Sequence, residues 1–60
     1  MKKPIINRYY YTNSIVMLPV KIKILKNLIN ERMSIIESDA KQIGKLSWDF
    51  IYKKKDLPKL

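Results

Sequence analysis

The sequence predicts a mainly α-helical small domain, with a short extended arm over residues 1–19, an amphipathic helix over 20–33 and a second over 35–56. Three observations predict it. Ile22, Leu25, Ile29 and Met33 recur at steps of three and four residues, with Leu28 beside them, which is the spacing of one helical face. Ile36, Ala40, Ile43, Ser47, Phe50, Lys54 and Leu57 continue that rhythm. From Val20 to Leu57 there is no proline and one glycine, Gly44, so the stretch is poor in the usual breakers.

The arm comes first. Residues 5–18, "IINRYYYTNSIVML", are rich in aromatic and β-branched types and read as extended chain, two short strands with a turn at Thr12-Asn13. Pro19 closes that run and suits the first position of a helix. "VKIKI" at 20–24 also alternates as a strand does, which leaves the start of the first helix open by several residues. Ser34 and Glu37 have the S-x-x-E spacing of a capping box and separate the two helices; the alternative is one continuous helix with an incidental serine. In the second helix Phe50 lies on the apolar stripe, while Lys41, Lys45, Trp48, Tyr52 and Lys55 fall on another, basic and aromatic one. Gly44 lies inside this helix, where glycine weakens it relative to alanine.

Sixty residues make one small basic domain, whose core is marginal. Cysteine and histidine are both absent, so neither disulfides nor an ordinary zinc site reinforce it, and a partner is the remaining support. Thirteen basic residues stand against five acidic ones, a net charge of +8. Residues 1–30 hold Lys2, Lys3, Arg8, Lys21, Lys23 and Lys26 and no acid. Such a surplus attracts polyanions, nucleic acid first and an anionic membrane surface second. The longest apolar run, Ile15 to Val20, is far shorter than the roughly 20 residues of a membrane span, so no span is expected, nor is a secretory signal.

Enzyme chemistry is not expected. Without histidine or cysteine the chain lacks the usual general base at neutral pH and a thiol nucleophile, and its serines have nothing to activate them. One glycine cannot build a phosphate-cradling loop. No catalytic residue, metal ligand or cofactor is assigned. What the residues offer instead is phosphate contact by Lys41, Lys45, Lys53, Lys54, Lys55 and Arg8, with Trp48 and Tyr52 able to stack on unpaired bases. The plainer alternative makes the lysines a solvated face and packs Trp48 on the N-terminal strands. "RYYY" at 8–11 carries the same two readings, since alternate tyrosines on a strand face opposite sides. Leu25, Leu28, Ile29, Ile36 and Phe50 are the expected partner-packing residues.

"LKNLINERMSII" at 25–36 resembles the first helix of the small-subunit ribosomal protein S-eighteen family, bacterial type, through Leu25, Lys26, Leu28, Ile29, Glu31 and Ile35. "AKQIGKL" at 40–46 is similar to the start of that family's second helix, and "DLPKL" at 56–60 to its terminal leucine-proline. The chain departs from the family in lacking the arginine-rich segment between the helices, for which Ile36 to Ala40 leaves no room. The resemblance implies an RNA-binding structural component of the small ribosomal subunit. Its partners would be ribosomal RNA and a neighbouring ribosomal protein, and its location the ribosome of an organelle or of the cytoplasm of an AT-rich organism. That last inference also draws on isoleucine, lysine, asparagine and tyrosine making up 29 of the 60 residues.

Two alternatives belong to other classes. "SIVMLP" followed by two helices resembles a ribbon-helix-helix DNA-binding regulator, acting as a homodimer with its strands in the major groove. The other is a small phage-like interaction protein.

Overall fold

The computed structural model describes residues 2–13 and 19–57, and the chain is built from strands. The order is β1 (Tyr9–Asn13), β2 (Pro19–Leu28), β3 (Met33–Ser38) and β4 (Ile43–Ser47). They form one antiparallel sheet in the same order as the sequence. Three short 3₁₀ turns, Ile29–Glu31, Trp48–Phe50 and Lys54–Asp56, are the only helical elements among the described residues.

The two expected amphipathic helices are therefore corrected. Residues 20–33 form most of β2, the first 3₁₀ turn and the entry to β3. Residues 35–56 form the rest of β3, β4 and the last two 3₁₀ turns. Tertiary pairing explains the difference: β-branched Val20, Ile22, Ile24, Ile35 and Ile36 fit a pleated, half-buried surface better than a helical one. The expected arm is extended in part, in β1; residues 14–18, which carry most of "SIVMLP", and residues 58–60 of "DLPKL" lie outside the described residues. Ser34 starts no helix. It is fully buried within β3.

The register decides which residues face the core. Tyr10 pairs with Ile22, Ile24 with Ile36, and Ser34 with both Asn27 and Leu46. Tyr10, Ile22, Ile24, Trp48 and Ile51 are buried, with Val20, Ile36 and Leu46 packed against them. Each fully buried isoleucine contributes about 1.5–3 kcal/mol of transfer free energy. Strict alternation from Ile24 would turn Lys26 inward, beside this core. The register shifts between Ile24 and Lys26, and the extra residue, Leu25, puts Lys26 opposite Ile35 and brings Asn27 opposite Ser34. A bulge thus re-aims two polar side chains, one outward and one inward.

After β4 the chain turns through Trp48–Phe50 and returns to the first strand. Tyr11 N–H donates to Tyr52 O at 2.8 Å and Tyr52 N–H to Tyr11 O at 2.7 Å, an antiparallel bridge that covers the outer edge of β1. The bridge returns the chain after β4 to β1 at Tyr11, on the side away from β2.

The N-terminal arm seals one end of the core. Asn7 N–H donates to Ile24 O at 2.8 Å and Ile24 N–H to Arg8 O at 3.1 Å. Pro4 is buried and its carbonyl accepts from Asn27 Nδ2 at 2.7 Å. Ser34 Oγ donates to Asn27 Oδ1 at 2.6 Å, and Trp48 Nε1 donates to Ser34 Oγ at 2.9 Å. One chain of hydrogen bonds therefore ties together the second 3₁₀ turn, β3, β2 and the arm, and satisfied polar networks of this kind specify a unique core.

Candidate nucleic-acid interface

Tyr10 points into the core, so Tyr9 and Tyr11 stand on the outer face of the sheet. Tyr52, directly opposite Tyr11 in the closing bridge, shares that face. Lys23 lies opposite Tyr9 and Lys21 opposite Tyr11; Lys26 and Lys45 flank Ile35. The outer face thus carries three tyrosines and four lysines. Tyr9 is 59% exposed, enough for one ring face to receive a base. Lys21 Nζ rests 4.7 Å from the Tyr9 ring centroid, within cation–π range.

Two acids temper this surface. Glu37 is paired with Lys23 in the β2–β3 ladder. Glu31, in the first 3₁₀ turn, accepts from Lys45 Nζ at 3.1 Å. Both members of that ion pair are about half exposed, so it holds Lys45 only weakly.

The expected binding residues separate into groups. Lys45 and Tyr52 belong to the outer face just described. Arg8 is exposed and immediately precedes β1, while Lys53, Lys54 and Lys55 are exposed on the third 3₁₀ turn and its approach. Lys41 sits in the β3–β4 turn with a left-handed backbone, φ 63°. Trp48 is 5% exposed and packs in the core, with the Arg32 guanidinium 5.5 Å from its ring centroid. Packing, rather than base stacking, is its role in this structure.

The expected partner-packing residues also divide. Ile36 packs against this chain's own core. Leu25 and Leu28 are half-buried, whereas Ile29 and Phe50 are exposed at 59% and 58%. They share no single stripe, because the helical spacing that grouped them is not the geometry of these segments.

Lys21, Lys23 and Lys26, together with Tyr9 and Tyr11, are the outer-face residues that helical reasoning did not gather. The signal was present in "VKIKILK": alternation puts Lys21 and Lys23 on one side, and only the bulge at Leu25 keeps Lys26 with them.

Among the described residues no helix is long and apolar enough to cross a membrane. Comparison with protein-family models, curated proteins and solved structures finds no match.

Proposed function

We propose that this chain is a single-stranded RNA-binding protein that grips the strand on the outer face of its sheet. The observation that carries the proposal is the interleaving of Tyr9, Tyr11 and Tyr52 with Lys21 and Lys23 across β1, β2 and the closing bridge. Aromatic rings on an open sheet face accept unpaired bases, which duplexes keep stacked, while neighbouring ammonium groups neutralise the phosphates between them. Lys21 has a double part: it covers Tyr9 in the free protein, and an arriving base displaces it toward a phosphate.

RNA is favoured over duplex DNA because its loops, bulges and ends present the unpaired bases that exposed tyrosines accept. The DNA alternative needs a helix pair, and the longest helical element among the described residues is a three-residue turn. Ribosomal RNA and a neighbouring ribosomal protein, as implied by the resemblance, depend on packing by helices the chain does not form, so the proposal stops at unpaired RNA.

The test is Tyr9→Ala. Tyr9 is exposed, so its loss leaves the fold intact, and removing one stacking platform costs about 1–3 kcal/mol of binding. Affinity for a single-stranded oligonucleotide should fall accordingly while weak duplex binding is unchanged. Equal affinity of wild type and variant for the single strand would contradict the proposal.

A further inference from the structure

On the other side of the β1 wall lies a surface pocket of about 350 Å³, lined by Lys2, Lys3, Ile5, Tyr10, Lys53 and Asp56. Chain alternation separates it from the tyrosine face: Tyr10 lines the pocket while Tyr9 and Tyr11 face outward, and Lys53 lines it while the preceding Tyr52 belongs to the bridge. The sheet-face proposal does not use this pocket.

Its chemistry is specific. Three lysines line the cavity, together with an isoleucine, a tyrosine and one aspartate. The Tyr10 hydroxyl accepts from Ile5 N–H at 3.0 Å. Its own proton has no acceptor among the described residues and is free to donate to a ligand oxygen. Inorganic phosphate would answer the lysines but leave most of the volume, and the Ile5 and Tyr10 surfaces, unused, and it would be repelled by Asp56. A purely apolar ligand would leave the cations unmatched. A ligand that satisfies every wall has an anionic end, a planar or apolar body and a hydrogen-bond donor for the carboxylate. The volume is at the lower end of small-molecule sites, about 300–1,000 Å³.

We propose that this pocket binds a nucleoside 5′-monophosphate, with the phosphate held by Lys2, Lys3 and Lys53, the nucleoside against Ile5 and Tyr10, and Asp56 accepting from a ribose hydroxyl or base amine. The nucleotide has two sources, a free mononucleotide or the 5′-phosphorylated end of an RNA strand.

The experiment is a titration of the full chain with adenosine 5′-monophosphate, followed by amide chemical shifts, with adenosine as the control. Saturable shifts at residues 2–5, 10 and 53–56 are expected, with adenosine weaker by about tenfold or more, as loss of a charge-assisted contact implies. Lys53→Gln and the double variant Lys2→Gln/Lys3→Gln, all at exposed positions, should each weaken nucleotide binding by about tenfold with an unchanged amide spectrum elsewhere. Lys21→Gln/Lys23→Gln should leave it unaltered, which separates this site from the sheet face. Displacement of the mononucleotide by a 5′-phosphorylated oligonucleotide, and not by its 5′-hydroxyl counterpart, identifies a strand end as the source; failure of both to displace it identifies the free nucleotide. Equal binding of adenosine and its monophosphate, or wild-type affinity in the lysine variants, would overturn the proposal.

Discussion

Trp48 and Ser34 are joined in the core by a hydrogen bond, the indole Nε1–H donating to the serine Oγ at 2.9 Å. Ser34 is fully buried, and its hydroxyl in turn donates to Asn27 at 2.6 Å. The serine therefore acts as donor and acceptor at once, at the junction of β2, β3 and the second 3₁₀ turn. Ser34→Ala deletes both functions while keeping the backbone fit for a strand. The expected cost is about 1–3 kcal/mol, the penalty for disturbing buried polar partners, read as a lowered urea midpoint with an unchanged slope. An unaltered midpoint would show that the relay does not hold the core.

Trp48 and Phe50, two residues apart in one 3₁₀ turn, have opposite environments: 5% and 58% exposed. Trp48→Ala should cost about 3–5 kcal/mol, the usual result of emptying an aromatic site in a core, which in a domain of this size is enough to unfold it. Phe50→Ala should change stability by no more than about 0.5 kcal/mol. Thermal denaturation of both variants checks this, and a destabilised Phe50 variant would restore the apolar stripe expected from helical spacing.

Lys41 holds a left-handed backbone, φ 63°, in the turn where its N–H donates to Ser38 O at 2.9 Å and Ser38 N–H donates to Gln42 O at 2.9 Å. A residue with a Cβ is disfavoured there by roughly 1–2 kcal/mol, and glycine is not. Lys41→Gly should raise the melting temperature despite the added chain entropy, and Lys41→Val should lower it. The opposite order would place the turn in another conformation.

That same backbone feature explains why the helices looked convincing in the sequence. Turn positions usually announce themselves as glycine, but here Asn7, Arg32 and Lys41 take the positive φ angles, and Gly44 sits mid-strand in β4. With "NER" and "SDAK" silent as turns, the chain from 20 to 57 reads as helical pattern broken only at the Ser34–Glu37 capping spacing, which in the structure lies within β3. The spacing itself was a composite: Ile22 faces the core, Leu25 is the bulge residue, Ile29 is an exposed turn residue and Met33 opens β3. What alternation in "VKIKI" and "RYYY" did disclose was correct in kind, because strand periodicity depends only on local geometry. The pairing of Tyr52 with Tyr11, which places the third tyrosine on the interface, joins residues 41 apart in sequence and leaves no local trace. The absence of acid from residues 1–30 is legible in the sequence, but alternation and the bulge at Leu25 are what put Lys21, Lys23 and Lys26 on one face.

The most direct measurement of the central claim is the salt dependence of single-stranded RNA affinity for the wild type and for Lys21→Gln/Lys23→Gln/Lys26→Gln. These lysines lie on the outer side of β2, so their neutralisation leaves the core unchanged, and circular dichroism verifies it. Each phosphate contact on a single strand contributes about 0.7 to the slope of log affinity against log salt. The wild type should show a steep decline, and the triple variant a slope smaller by roughly two units together with weaker binding at low salt. A wild-type affinity that does not change with salt, or a triple variant with the wild-type slope, would contradict the outer face as the RNA-binding surface.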